Sequence, residues 1–324
     1  MSGDPSRRFG VSFVLSAAVI SGVATFVNTF AVAGTGSTGW TSSDAFVTAR
    51  NGLVALLLTP IFLWSWKDRA RRLGRFDWAR LALIGLIGGA IPFLLFFRGL
   101  QLAVQVGGSD ARTTASFLFR TLFLMATVLA IVVLRERPSR RLLAAAGALL
   151  VGNVLLASLW SPMWTDGALL VFGATALWAV EYTVSKHTMR DLPAITVAFG
   201  RMAFGAAFLA AYLVASGQFA AVGALSVLQV EWVALSALIL LGFVTAWYSG
   251  LKHVDLSVAA AVLVLGFPIT WALSAAVGRA PFGIVESVGA AVIAFGVVLA
   301  IGLTALRDSL SAGLRFLARR GAAR

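Results

Sequence analysis

The sequence predicts an all-α integral membrane protein with ten transmembrane helices, arranged as two inverted five-helix repeats. Three observations predict this fold class. Of the 324 residues, 60% are hydrophobic and 12% are charged, against roughly 45–50% and 25% in a soluble domain. Ten apolar stretches are each long enough to cross about 30 Å of hydrocarbon as a helix. The two halves of the chain also resemble one another in sequence.

The composition excludes several classes of protein. A soluble protein of this size cannot hide so much apolar surface from water. The sequence therefore does not belong to a soluble enzyme, a disordered chain or a nucleic-acid-binding domain, despite its net charge of +13. With no cysteine and only His187 and His253, disulfides and a cysteine-ligated zinc site are excluded, and we expect neither a metal nor a cofactor.

Hydropathy and length place the ten spans in order along the chain. They are expected near residues 9–33, 44–66, 79–99, 113–134, 142–160, 167–186, 194–215, 230–249, 255–277 and 284–305. The first stretch is too long for a removable signal peptide and has no small-residue cleavage site, so we expect it to remain as a span. No connection is long enough to hold a further domain.

Positive charge predicts the orientation. With the N-terminus inside, 20 of the 26 lysines and arginines fall on the cytoplasmic side and two fall in the opposite connections. This asymmetry favours both chain ends in the cytoplasm. Residues 306–324 are a basic tail, for which an amphipathic helix on the inner membrane surface and a disordered segment are both open.

The repeat is visible as a series of matches in preserved order. The matching segments are 21–33 with 174–186, the run around Arg50 with the run around Arg201, and 97–100 with 248–251. The first match pairs Asn28 with Glu181. Because each repeat, 1–160 and 161–305, has five spans, the two copies must insert in opposite orientations. Inverted repeats place a binding site near the membrane midplane and permit alternating access, although a duplicated channel, receptor or scaffold is also compatible.

Several short motifs carry a family resemblance. They are Leu177-Trp178-Ala179 with Tyr182 and Lys186, Arg201, Ser249-Gly250-Leu251, Phe267-Pro268, and Leu134-Arg135-Glu136-Arg137. With these motifs the chain resembles the drug/metabolite transporter superfamily, specifically its EamA-type ten-helix members, over residues 9–305. The resemblance implies a transporter of small organic metabolites such as amino acids or amphipathic drugs. The chain departs from the family at Phe123, where a proline is common, and near Arg279, where an acidic residue is common.

Glu181 is the only acidic residue well inside a predicted span. A carboxylate in hydrocarbon is costly, so such residues usually face a cavity or a partner. One hypothesis is that Glu181 takes up and releases a proton and thereby couples proton entry to substrate exit. The alternative is a structural carboxylate paired with Lys186 or with an interhelical donor.

Arg120 lies about eight residues inside the fourth span, around 12 Å along a helix. An arginine at this depth costs roughly 2.5–3.5 kcal/mol on insertion scales unless it is neutralised. Its guanidinium group offers a planar fork that binds a carboxylate through two hydrogen bonds. Arg120 is therefore a candidate substrate-binding residue, and the alternative is a buried ion pair with Glu181 or Asp110.

Four further residues are candidate substrate contacts. Trp178 and Trp271 belong to the sixth and ninth helices, which line the cavity in the resembling family, and their rings accept apolar, aromatic or cationic groups. Packing without ligand contact is the alternative for both. Tyr182 offers a hydroxyl to a ligand or to Glu181, and Asn28 is the repeat counterpart of Glu181.

Two arginines and one proline have simpler interpretations. Arg50 and Arg201 occupy equivalent places in the second and seventh spans, where each is expected to snorkel to a membrane face as a structural anchor. Pro268 removes a backbone hydrogen bond and is expected to kink the ninth helix. The kink would serve as a hinge or as a cavity wall.

Together these features favour a secondary active transporter that exports its substrate by alternating access. The proton gradient is the expected energy source, and uniport and exchange are left open as alternatives. An integral membrane enzyme acting on lipid or isoprenoid substrates is the main alternative. Such enzymes cluster acidic or basic side chains at the interface, whereas the 13 acidic residues here are scattered. We therefore expect no enzyme activity, a small-molecule substrate, a monomer or homodimer, and a cytoplasmic (inner) membrane location.

Overall fold

The computed structural model describes residues 5–32, 43–67, 73–160, 162–280 and 282–302. Within these ranges the chain forms helices and no strand. The helices are α1 (Pro5–Val32), α2 (Ser43–Lys67), α3 (Arg75–Ile84), a π-helical turn (Gly85–Ala90), α4 (Ile91–Arg120), α5 (Leu122–Val132), α6 (Arg140–Ala157), α7 (Asp166–Thr188), α8 (Ala194–Ala215), α9 (Ala220–Gly223), α10 (Val227–His253), α11 (Leu256–Leu263), α12 (Gly266–Ala276) and α13 (Ile284–Ile301). The predicted basic tail, 306–324, lies outside the described residues.

Within the described residues, ten helical segments are long and apolar enough to cross a membrane. They are Ser6–Asn28, Ser43–Ser65, Arg75–Gly108, Thr113–Val132, Arg140–Ala157, Asp166–Thr188, Ala194–Ala215, Val227–His253, Leu256–Ala276 and Ile284–Ile301. The all-helical ten-span fold class is thus confirmed. The third segment is longer than predicted, because its helix continues to Gly108, where a φ of +60° that glycine tolerates ends the regular conformation.

The fourth and ninth spans are each interrupted partway along. In the second half α11 ends at Leu263 and α12 begins at Gly266, two residues before Pro268. Because Pro268 has no N–H, the Val264 carbonyl accepts instead from the Phe267 N–H at 3.0 Å. In the first half the interruption is at Thr121, whose hydroxyl donates to the Leu118 carbonyl at 2.7 Å.

The two halves pack on each other through several helix pairs. The largest contacts join α4 to α7, α6 to α13, α1 to α10 and α2 to α8. Glycines allow two of the close approaches. A Cβ on Gly205 of α8 would lie 2.8 Å from the Cα of Gly89 in the π-helical turn. A Cβ on Gly289 of α13 would lie 2.5 Å from the backbone nitrogen of Leu156 in α6.

The turn between α10 and α11 is held from both sides at one end of the bundle, which we call the Lys186 end. The Lys186 ammonium donates to the carbonyls of Leu251 at 2.6 Å and Val254 at 2.8 Å, where α10 ends. The Glu136 carboxylate accepts from the N–H of Leu256 at 2.7 Å and from the Ser257 hydroxyl at 2.6 Å. Both contacts satisfy helix-terminal groups that lack intrahelical partners, with charges that match the helix dipoles.

Candidate functional site

Glu181 is fully buried and its charge is compensated. One carboxylate oxygen, Oε1, accepts from the Ser185 hydroxyl at 2.5 Å and from the Tyr248 hydroxyl at 2.6 Å. The other, Oε2, lies 3.5 Å from Nε of Arg201. Lys186 is engaged at the end of α10 instead. Of the two interpretations of Glu181, the contacts match a carboxylate with interhelical donors, and proton coupling stays a prediction.

The π-helical turn contributes the backbone of this site. Pro92 cannot donate to the carbonyl of Gly88, four residues earlier. That carbonyl accepts instead from Nε1 of Trp178 at 3.0 Å and from Nη2 of Arg201 at 3.0 Å. A Cβ on Gly88 would overlap Cγ of Glu181. A glycine is therefore required here because the backbone lies directly against the buried carboxylate.

Trp178 lies at the centre of a group of rings that we call the aromatic cluster: Phe93, Phe96, Phe119, Trp178 and Phe267. The centroid of the Trp178 ring is 5.3 Å from that of Phe93, 5.5 Å from that of Phe96 and 5.4 Å from that of Phe119. Phe119 in turn lies 6.0 Å from Phe267 of α12. The contacts are tilted or edge-to-face, which are favoured arrangements for aromatic pairs.

Arg120 joins this cluster from its far side. Its guanidinium lies 5.1 Å from the centroid of the Phe267 ring. Its Nη1 atom is buried and has no hydrogen-bond partner in the part of the chain that the structure describes. Glu181, one of the two predicted partners, pairs with Arg201 instead. The side chain of Asp110, the other, lies outside the described residues.

Arg50 and Arg201 do not snorkel, so that expectation is wrong for both. Their exposed fractions are 3% and 5%. Arg201 stays inside because Glu181 compensates its charge. Arg50 lies over the rings of Phe46 and Phe93, 5.6 and 5.2 Å from their centroids, and donates to the Asn51 side chain at 3.2 Å. Cation–π contacts of this kind partly replace water around a guanidinium.

The other predicted residues divide into two groups. Tyr182 is buried next to Glu181, with its ring 4.6 Å from that of Trp247. Asn28 accepts from the Ser236 hydroxyl at 2.7 Å, in the contact between α1 and α10. Trp271 lies one turn beyond Phe267 and stacks on Phe282 at 5.2 Å. Arg120, Trp178, Glu181 and Tyr182 thus lie in one region, while Asn28 and Trp271 make separate contacts.

Sequence reasoning missed the partners of Glu181. Four arginines, at positions 50, 98, 120 and 201, fall within predicted spans, and nothing in their spacing shows which one reaches the carboxylate. Tyr248 gave no signal beyond its position in a repeat match. Gly88 did leave a signal, because a proline four residues after a glycine frees a carbonyl in the middle of a span.

The fold and this site agree with the comparison to known families. The model of the EamA-like transporter family matches residues 8–158 and again 165–302. The chain belongs to this family. Each match covers five of the ten spans, so the EamA-like protein is a multi-pass membrane protein built from two family units, in a family of transporters.

Other comparisons add the fold alone. No curated protein matches the chain. A solved structure described as "Crystal structure of protein" shares 20% sequence identity and a TM-score of 0.66, over 89% of this chain and 99% of that chain.

The site of the EamA-like protein draws on both family units. The first unit contributes Gly88 and Arg120, and the second contributes Trp178, Glu181 and Arg201. The Gly88 carbonyl and the aromatic cluster connect residues of the two units. Any movement of one unit against the other therefore changes the shape of this site.

Proposed function

We propose that this EamA-like protein is a secondary active transporter that exports small organic metabolites, such as amino acids or amphipathic drugs, by alternating access. One observation carries the proposal. The aromatic cluster lies inside the bundle and takes rings from both family units, and beside it Arg201, the partner of Glu181 in the second unit, binds the Gly88 carbonyl of the first unit. Rocking of one unit against the other would expose such a site to each membrane face in turn.

Individual residues take distinct parts in this proposal. Arg120 and Trp178 contact the substrate, because one presents an unpaired buried N–H and the other lies at the centre of the rings. Tyr182 is placed to donate to the substrate from the same helix as Glu181. Asn28 and Trp271, which make separate contacts in this structure, are further proposed substrate contacts. The interruptions at Thr121 and before Pro268 are where the fourth and ninth spans bend.

Glu181 would couple the cycle to protons through its ion pair. Protonation removes the charge that attracts Arg201, which also holds the Gly88 carbonyl. The contact of α7 with α8 and the π-helical turn would then loosen. We expect Glu181→Gln to abolish transport driven by a pH gradient while leaving exchange at equal pH measurable. The control is Glu231→Gln, because Glu231 is exposed on α10. If Glu181→Gln still transports substrate in response to a pH gradient, the coupling role of Glu181 is refuted.

Transport itself is tested in proteoliposomes that contain the purified full chain. A panel of labelled amino acids and amphipathic drugs is assayed by counterflow. We expect accumulation of at least one compound, reduced by Arg120→Lys and by Trp178→Phe but not by Arg80→Lys, since Arg80 is exposed and pairs with Asp191 at 3.1 Å. Empty-liposome levels for every compound would count against a transporter of these classes.

The proposal includes a location and an assembly. The charge asymmetry of the sequence supports a cytoplasmic membrane with both chain ends inside. The Lys186 end then faces the cytoplasm. Because both units lie on one chain, each copy supplies a whole site, whether the protein works as a monomer or as a homodimer.

A further inference from the structure

The charges around the aromatic cluster do not balance. Arg50, Arg120 and Arg201 all lie against the cluster or against the Gly88 carbonyl that Trp178 also binds. Against these three cations, the side chains that the structure describes in this region include one carboxylate, Glu181. Arginine stays protonated in proteins, so this region carries two positive charges in excess.

Glu181 is committed to Arg201, which leaves Arg50 and Arg120 as the excess cations. Among the carboxylates whose side chains the structure describes, which leaves out Asp110, none lies within ion-pair distance of either guanidinium. Arg50 has one amide oxygen, from Asn51, and two ring faces. Arg120 has one ring face, and its Nη1 atom is buried without an acceptor. Buried cations of this kind are costly unless an anion accompanies them.

The two unpaired arginines stand on opposite sides of the rings. Contacts run from Arg50 to Phe93, from Phe93 to Trp178, from Trp178 to Phe119, and from Phe119 through Phe267 to Arg120. A second buried donor without an acceptor, Nε1 of Trp247, lies nearby, since the Trp247 ring packs on Tyr182, one turn from Trp178. The described side chains of this region therefore offer ring faces and free donors, and no free carboxylate is among them.

We infer that the substrate of this transporter is an organic anion, with an apolar or aromatic body that packs on the cluster and an anionic head that binds Arg120. The inference rests on the proposed transport function and narrows its substrate class. Carboxylate and phosphate heads share the required chemistry, because each accepts two hydrogen bonds from a guanidinium. Among the described side chains, an amine head finds no free carboxylate in this region, because Glu181 already pairs with Arg201.

Binding to the purified full chain tests the charge preference. The probes are 3-phenylpropionate, phenyl phosphate, 3-phenylpropanamide and phenyltrimethylammonium, which share a phenyl ring and differ in the head group. Isothermal titration is expected to show at least one anion binding about tenfold or more tightly than the amide and the ammonium ion, as a charge-assisted hydrogen bond would give. The two anions separate carboxylate from phosphate recognition.

Variants then assign the head group to Arg120. Arg120→Gln is expected to erase the preference for the anion over the amide, and Arg120→Lys to weaken anion binding while keeping the preference. The matched control is Arg80→Gln, which removes an exposed arginine that already has a carboxylate partner. If Arg120→Gln does not fold, Arg120→Lys still tests the assignment, because lysine keeps the charge but lacks the planar guanidinium. An anion affinity that is the same in Arg120→Lys as in the unmodified protein would overturn the role of Arg120.

Flux separates this inference from the proposed function. Phenyl phosphate and phenyltrimethylammonium carry fixed charges and do not cross lipid unaided. Uptake of the phosphate into proteoliposomes, or of phenylpropionate above the empty-liposome rate, supports both claims. Uptake of the ammonium ion or the amide in preference to the anions overturns the anion inference alone. Anion-selective binding without flux of any probe overturns transport alone, and the absence of both overturns the two together.

Discussion

Glu136 of the first family unit caps a helix of the second, because its carboxylate accepts both the backbone N–H and the hydroxyl of Ser257. The two hydrogen bonds measure 3.1 and 2.6 Å. Lys186 holds the carbonyls on the other side of the same turn. The Lys186 end of the bundle is thus closed by charged groups that bind backbone rather than each other.

Removing the carboxylate of Glu136 is expected to destabilise the protein. Glu136→Ala leaves the first N–H groups of α11 without their acceptor, and loss of a helix cap costs about 1–2 kcal/mol. The measurement is thermal unfolding in detergent, with Glu231→Ala as the control on an exposed helical site. Equal unfolding temperatures for the two variants would contradict the capping role.

The Glu181–Arg201 pair is expected to show strong energetic coupling. Either single change, Glu181→Gln or Arg201→Gln, leaves a buried charge without its partner, which costs about 3–5 kcal/mol. The double variant removes both charges together, so its destabilisation should be well below the sum of the two single effects. A double-mutant cycle on chemical unfolding in detergent measures this difference, and additive effects would mean that the two groups do not interact.

Gly88 is expected to tolerate no larger side chain. The Cβ of Gly88→Ala would overlap Cγ of Glu181, and overpacking of this kind costs about 1–3 kcal/mol. The control is Gly173→Ala in α7, where a Cβ would meet nothing within 4 Å. We expect Gly88→Ala to lower the unfolding temperature and Gly173→Ala to leave it unchanged or raise it, since alanine favours helix. The reverse order would show that the π-helical turn has room at this position.

Orientation is testable because the sequence has no cysteine. Single cysteines are introduced at Arg190, beyond α7, and at Gln218, beyond α8, both exposed turn positions. With both chain ends in the cytoplasm, an impermeant maleimide added to intact cells should label Gln218→Cys and spare Arg190→Cys until the membrane is permeabilised. Labelling in the opposite pattern would invert the topology.

Hydropathy predicted the fold because the bilayer imposes one requirement on every span, a long apolar helix. Charge at a given depth likewise singled out Glu181 and Arg120. Their partners were beyond the reach of the sequence, because pairing depends on how α7 rotates against α8 and α10. The snorkelling expected of Arg50 failed for the same reason. The sequence shows how far Arg50 lies from a membrane face. It does not show that the rings of Phe46 and Phe93 pack against its guanidinium, because that contact depends on how the helices pack.

The two interruptions in the fourth and ninth spans differ in what maintains them. Before Pro268 the proline ring leaves no N–H to donate in any conformation, so this interruption is fixed by the covalent structure. At Thr121 no N–H is missing, and the Leu118 carbonyl accepts from the Thr121 backbone N–H at 3.1 Å and from its hydroxyl at 2.7 Å. The interruption in the first unit can therefore return to regular helical hydrogen bonding, whereas the one in the second unit cannot.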